Sequence, residues 1–349
     1  MGKNRFLLPA LLVFFVFYLF LFPLKIKEEY VLVPESKASL KGEDQSDLVG
    51  QTGDWAFRST GKMGYYHLTD GSFSLLEKGS RSSISDRFYM VEEESLLSLK
   101  AKSGETLASV DSKLSPVLFG DHFFLADFYQ GYIREIDNQG RTLWDYTLPT
   151  LITCMDHKGD ITSVGLLNGE IYLFDRTGSP FHVWSPGGSR IDVIYGIALS
   201  PNGENLGLVS GLDPQRFIYM EKKENGYRPV FHENLSESFR GPLSLRIDDS
   251  LNVVVEGTRK GLYYTPGAAS LFEFPLPGDF IDSASSLEDG TLFFQSRSRA
   301  GTILSFFTET GDRIGENYFT DEPHSLTTRG NRILMTGEDE VYVLRREFH

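Results

Sequence analysis

The 349 residues carry 34 basic and 48 acidic side chains, a formal charge of −14, with 40% hydrophobic and 13% aromatic content and one cysteine. A chain this acidic is a poor general binder of nucleic acid or of anionic lipid headgroups. Cys154 alone excludes an intrachain disulfide, so stability has to come from buried apolar surface, for which a chain of this length is ample.

In chain order, residues 1–5 (Met-Gly-Lys-Asn-Arg) precede 19 uncharged residues, 6–24 (FLLPALLVFFVFYLFLFPL), fifteen of which are Leu, Phe or Val. A helix of that length spans roughly 28 Å, enough for a hydrocarbon core, and each such side chain favours insertion by roughly 0.3 to 0.6 kcal/mol. Pro9 and Pro23 sit near the two ends, where a missing backbone donor costs least. The run ends in Phe22-Pro23-Leu24-Lys25-Ile26-Lys27, with neither a small-residue cleavage site nor a lipobox cysteine. The sequence therefore predicts an uncleaved signal anchor: one transmembrane helix through the lipid bilayer, a short cytoplasmic N-terminus, and a periplasmic or otherwise extracytoplasmic remainder. All 48 acidic residues follow residue 24 while Lys3 and Arg5 precede it, which leaves 32 basic residues and a charge of −16 beyond the anchor.

Residues 25–54 read as a polar linker able to donate a strand to the globular part of the chain. Over 55–349 short runs of Phe, Tyr, Val, Ile and Leu alternate with Gly, Asp, Asn and Pro, and no window keeps helical periodicity for three turns. A strand, a glycine turn and a second strand recur: Gly71, Gly104, Gly140, Gly178, Gly226, Gly267 and Gly311 are spaced by 33, 36, 38, 48, 41 and 44 residues. That period belongs to four-stranded propeller blades. In the fourth unit, 151–155, 161–166, 171–174 and 181–184 read as successive strands a to d. The last unit offers only three, 324–328, 332–336 and 341–345. A chain that stops one strand short closes its ring with a strand from its own beginning, because an open edge templates aggregation; 30–33 or 55–58 would supply it. The expected fold is an all-β propeller with eight blades favoured over seven, preceded by the anchor helix.

The blade ends 135–144 (EIDNQGRTLW) and 172–178 (YLFDRTG, with Trp184 following) resemble the Asp-x-x-Gly…Trp signature of quinoprotein-like propellers. The segment 197–206 (IALSPNGENL) looks like the Ser-Pro-Asp-Gly hairpin of WD-repeat and TolB-like propellers, with Asn202 replacing Asp. The layout of one span plus a propeller is similar to bacterial envelope proteins without an assigned activity. It is also similar to the membrane-tethered eight-bladed scaffold of outer-membrane protein assembly. That resemblance implies a non-enzymatic protein that binds partners through its loops, and it transfers no functional residue.

Chemistry-bearing motifs are lacking: there is no His-Glu-x-x-His, Cys-x-x-Cys, Gly-x-Ser-x-Gly, P-loop or Gly-x-Gly-x-x-Gly. The seven histidines lie at least 25 residues apart, and Cys154 in Leu-Ile-Thr-Cys-Met reads as a small buried hydrophobe. Asp248-Asp249-Ser250-Leu251-Asn252 lacks the later ligands of a calcium loop and reads as a hairpin turn. No metal or cofactor is expected. Asp192, Asp282 and His324, at the starts of innermost strands, are the positions a channel enzyme would use.

Strand order alone places d-to-a and b-to-c connections on one face of a propeller. Arg190, Arg216, Arg240, Arg259, Lys260, Arg297 and Arg299 fall there, with Asp213 and Gln215 in the unusual turn Ser-Gly-Leu-Asp-Pro-Gln-Arg-Phe. Such an arc suits an acidic segment of a partner protein or an anionic envelope polymer, not nucleic acid. The expected function is a membrane-tethered interaction scaffold at the cell envelope. The alternatives are a lactonase-like or quinone-dependent propeller enzyme, or a sensor that binds a small ligand in its channel.

Overall fold

The computed structural model describes residues 14, 30–40, 55–60, 62–68, 70–77, 81–224, 226–286 and 289–348. The anchor predicted at 6–24 lies outside the described residues except for Phe14. Among the described residues no helix is long and apolar enough to cross a membrane.

Among the described residues thirty-one strands form eight antiparallel sheets, seven of four strands and the first of three. Seven strands a run in chain order around the axis, Ser82–Ile84, Ser115–Phe119, Ile152–Lys158, Ile191–Leu199, Leu245–Ile247, Asp279–Ser285 and Pro323–Arg329, and in blade 1 the innermost described strand, Trp55–Arg58, runs the opposite way to them. Each sheet is covered on both faces by its neighbours, so the second strands read as continuous apolar or small runs. Ile161–Leu166 and Gly301–Phe307 are buried along their whole length. The core lies between blades. Val209, Phe217 and Tyr219 of blade 5, for example, meet Val253, Leu262 and Tyr264 of blade 6.

The fourth unit is built as predicted, from Ile152–Lys158, Ile161–Leu166, Ile171–Phe174 and Pro180–Trp184. The last unit is Pro323–Arg329, Arg332–Gly337 and Glu340–Phe348, and its fourth strand is Tyr30–Ser39 from the other end of the chain. The two terminal strands pair antiparallel from Tyr30↔Phe348 to Ser39↔Glu340, with a bulge between Pro34 and Ser36 that accommodates the proline on an edge strand. The second closing candidate, Trp55–Arg58, is instead the innermost described strand of blade 1.

Blade 1 keeps the phase of the sequence repeat, with three strands among the described residues. Gly104, Gly140, Gly178, Gly226, Gly267 and Gly311 turn between strands c and d, and Gly71, between Lys62–Tyr66 and Phe73–Glu77, lies on the same face: Ser59 Oγ, just past Trp55–Arg58, donates to the Gly337 carbonyl at the b-to-c turn of blade 8, so Trp55–Arg58, Lys62–Tyr66 and Phe73–Glu77 run as strands b, c and d. The seven glycines of the series are therefore equivalent turns on one face of the ring.

The Trp signature has a structural basis. Trp144 Nε1 donates to Glu135 Oε2 at 2.5 Å. A Cβ on Gly178 of the next blade, at φ +76°, would run into the Trp144 ring. The equivalent position one blade on is not Trp184 but His182, which occupies the same place against Gly226.

Leu32 is 5% exposed, in a cluster with Ile333, Met335 and Leu344. Glu35 pairs bidentately with Arg332 at 2.7 Å on the rim. Leu32→Ala should cost about 2–5 kcal/mol in urea unfolding, whereas Glu35→Ala should cost under about 1 kcal/mol; equal effects would mean the closure is not held by burial.

Candidate interaction face and central channel

All seven basic residues lie on the d-to-a and b-to-c face. Arg190 and Arg240 precede strands Ile191–Leu199 and Leu245–Ile247; Arg216 and Lys260 open strands Arg216–Lys223 and Lys260–Tyr264; Arg259 and Arg299 sit in b-to-c turns, and Arg297 is near the end of Leu292–Ser298. Their chemistry differs. Lys260 Nζ donates to Ser236 Oγ at 2.8 Å and Glu273 Oε1 at 2.6 Å. Arg297 pairs with Glu322 at 3.0 Å, Arg190 with Asp213 at 3.5 Å, and Arg259 donates to the Pro277 carbonyl at 2.6 Å. Arg240 and Arg299 are exposed.

The turn around Asp213 is a fixed element. Asp213 adopts φ +63° and the Asp213–Pro214 peptide is cis. Ser189 Oγ donates to the Pro214 carbonyl at 2.6 Å. Gln215 is only 1% exposed: its Nε2 donates to the Phe239 carbonyl at 3.2 Å and its Oε1 accepts from the Phe239 N–H at 2.8 Å. Arg216 folds back to donate to the Gly187 carbonyl, against Gly188. Gln215 and Arg216 thus hold neighbouring loops together, and the outward-facing cations are Arg190, Arg240, Arg259, Arg297 and Arg299.

Between blades 3, 4, 5 and 6 the same face opens into an apolar pocket of about 390 Å³, lined by Phe128, Leu151, Leu167 and Tyr195, with Tyr129 and Arg240 at its rim. Asp127 Oδ1 accepts from the N–H groups of Tyr129 and Gln130 at 3.0 and 2.9 Å, an Asx turn that leaves Tyr129 84% exposed. The walls are pinned by backbone bonds from Ile152 N to Phe128 O at 2.8 Å and from Leu167 N to Leu151 O at 3.0 Å. Sequence reasoning found Arg240 but not its apolar neighbours. The available signal was Asp-Phe-Tyr-Gln-Gly at 127–131, two adjacent aromatics inside a turn.

Of Asp192, Asp282 and His324, Asp282 lies near enough to His324 to feel its charge, but among the described residues no group of three or more His, Cys, Asp or Glu is placed to hold a metal ion. Asp282 is a clamp between blades. Its carboxylate accepts from Leu326 N at 2.8 Å and from Arg246 Nη2 at 2.8 and 3.1 Å. Asp156 does the same for Leu199 N at 2.8 Å. Burial raises both carboxyls above the usual range. Cys154 packs against Gly165 and Ile194, and burial pushes its thiol up to about 12, which removes it as a nucleophile at neutral pH. On the opposite face the His122 and His157 rings meet at 4.0 Å between centroids, tilted by 41°. Burial and the neighbouring His122 push His157 down to about 4.

A family model described as "beta-propeller protein" matches residues 1–344. The chain belongs to this β-propeller family. It is 24% identical over 226 residues to an uncharacterized protein of Treponema pallidum (strain Nichols), a match covering 64% of this chain and 60% of that relative's length. Among solved structures, BamB from Moraxella catarrhalis superposes with a TM-score of 0.63 at 15% identity, over 90% of this chain and all of that one. The computationally designed Ika8 protein gives 0.65 at 13% identity, over 88% and 98%. At these identities the likeness is one of fold.

Gln215→Ala leaves the Phe239 N–H and carbonyl without side-chain partners and should destabilise by about 1–3 kcal/mol; Arg299→Gln should stay within about 0.5 kcal/mol. The pH dependence arises from His157. Its unfolded value near 6.5 exceeds its folded value of about 4, so the unfolded chain binds the extra proton and stability falls as pH drops between them. Buried Asp156 and Asp282 act in the opposite sense, so the difference between wild type and His157→Phe isolates the effect. Between pH 7 and 4.5 wild type should lose on the order of 2–3 kcal/mol more than the variant in urea titrations.

Proposed function

We propose that this propeller is a non-enzymatic scaffold, tethered to a bilayer through residues 6–24 with a cytoplasmic N-terminus and an extracytoplasmic ring, and that its d-to-a and b-to-c face grips a partner protein of the cell envelope. The observation that carries the proposal is the preformed apolar pocket of about 390 Å³ with exposed Tyr129 and Arg240 at its rim. An aromatic and an arginine beside a desolvated pocket are the composition of an interface hot spot, and loops already fixed by backbone bonds lose little entropy on binding. The partner chemistry that fits is an apolar side chain for the pocket flanked by a carboxylate for Arg240. An anionic envelope polymer would engage the outlying arginines and leave the pocket unfilled.

Chain geometry supports the orientation. Tyr30 pairs with Phe348 at the end of the closing strand that lies on the a-to-b and c-to-d face. Residues 25–29 reach at most about 18 Å from the proposed span. The tether therefore leaves from the face opposite the pocket, which turns the pocket away from the bilayer. Membership of the propeller family and the fold likeness to BamB support the architecture of this reading alone.

A photo-crosslinking residue placed at Tyr129 in the full-length chain should capture one stoichiometric partner from membranes, and the same residue at Asp121 on the opposite face should not. Tyr129→Ala or Arg240→Glu should weaken the isolated complex by about 2 kcal/mol, near thirtyfold in Kd. Equal capture from both faces, or binding indifferent to both substitutions, would remove the interface assignment.

A further inference from the structure

The charge balance of the central channel is unlike that of the chain. A cleft of about 310 Å³ on the axis draws its walls from blades 1, 2, 6, 7 and 8 and is lined by Arg58, Arg246 and Arg329 together with Asp86 and Asp282. Two of the guanidinium groups have carboxylates: Arg246 pairs with Asp282 at 2.8 Å, and Arg329 with Asp86 at 2.6 Å while lying 5.3 Å from the Trp55 ring centroid. Arg58 has none within ion-pair distance among the described residues. Its Nη2 donates to Ser83 Oγ at 2.7 Å and to the Ile84 carbonyl at 3.2 Å, both on the neighbouring blade. These bonds fix the plane of the guanidinium and leave the donors on Nη1 and Nε uncommitted. The group is reached by solvent yet walled by protein, and that crowding holds it below the usual arginine value with no anion to offset the effect.

A fixed, unneutralised guanidinium beside two others, in a cavity near the lower end of ligand-pocket volumes, is an incomplete charge pattern. We propose that the channel binds one small oxyanion-bearing molecule, a phosphate or carboxylate compound, with Arg58 as its principal contact and Arg246 beside it. The apolar side of the cleft, Trp55, Ile84 and Leu326, would face the non-ionic part of that molecule. This site is distinct from the partner-binding pocket, since the two share no lining residue. The scaffold assignment can fail without affecting it.

Isothermal titration of the purified full-length chain with inorganic phosphate and, separately, with citrate should show saturable binding of one ligand per chain for at least one of them. Arg58→Gln should weaken it at least tenfold, Arg58→Lys by less, and Arg176→Gln, an exposed turn arginine on blade 4, should leave it unchanged. Should Arg58→Gln not fold, protection of Arg58 in the wild-type chain from phenylglyoxal by the same two anions, read by peptide mass spectrometry, decides the question. Absence of saturable binding, equal loss in Arg176→Gln, or no protection of Arg58 overturns the proposal.

Discussion

The structure depends on the antiparallel pairing of Tyr30–Ser39 with Glu340–Phe348. A propeller is a one-dimensional stack bent into a circle, and each sheet buries its faces only against neighbours. Without a closing strand the last sheet keeps an unpaired edge, and the terminal blades lose the constraint that holds them in register. Pairing residues more than 300 positions apart carries a large loop-closure cost once, but that cost grows only logarithmically with length. The return is spread over the ring, because closure keeps every inner strand at a fixed distance from the axis. The channel cleft, drawn from blades 1, 2, 6, 7 and 8, exists only in the closed state.

Within the ring, two devices keep successive blades in phase. On the inside, side-chain oxygens of one inner strand take N–H groups of the next: Asp156 holds Leu199, Asp282 holds Leu326, and Ser83 holds Leu118 at 3.0 Å. On the outside, the residue four places after a turn glycine docks on the turn glycine of the next blade, as Trp144 does on Gly178 and His182 on Gly226. Ala108 meets Gly140 in the same way with a much smaller side chain. The site tolerates different volumes because the glycine supplies the same bare backbone each time. What is invariant along the chain is the acceptor, not the docked residue.

This difference explains which parts of the structure were legible in the sequence. Turn glycines with positive φ are required by local backbone geometry, so their period revealed the blades and the strand deficit at the C-terminus revealed the closing strand. Gly71 kept its place in that period although its blade has three strands among the described residues, because the requirement is local to the c-to-d turn. Trp184 looked like a signature residue by type, but the docking position is set by distance from the glycine, which selects His182. The arginine face was readable because strand order alone assigns loops to faces. The roles of Gln215 and Arg216 were not, because a planar donor looks the same in sequence whether its partner is a ligand or the carbonyl of the next loop. Arg58 was passed over for a related reason: one charge at the end of a four-residue strand has no local pattern, and only the ring shows that no carboxylate among the described residues stands opposite.

The pocket and the channel are joined by one short stretch of blade 6, which bears on whether they communicate. Arg240 stands at the rim of the pocket, and six residues later Arg246 lines the channel. Coupling requires an element with two arrangements that both sites bias. The intervening backbone has little freedom: Leu243 N donates to Tyr195 O at 2.8 Å, Ser244 N donates to Glu256 Oε2 at 2.8 Å, and Arg246 is held by Asp282. Each of these contacts would have to be exchanged for another before a movement at Arg240 could reach Arg246, and the structure offers no second set of partners. Rigidity of this kind favours a frame on which two faces act separately. A partner seated at Tyr129 would therefore leave the affinity at Arg58 unaltered, and by thermodynamic reciprocity an anion in the channel would leave the partner's affinity unaltered.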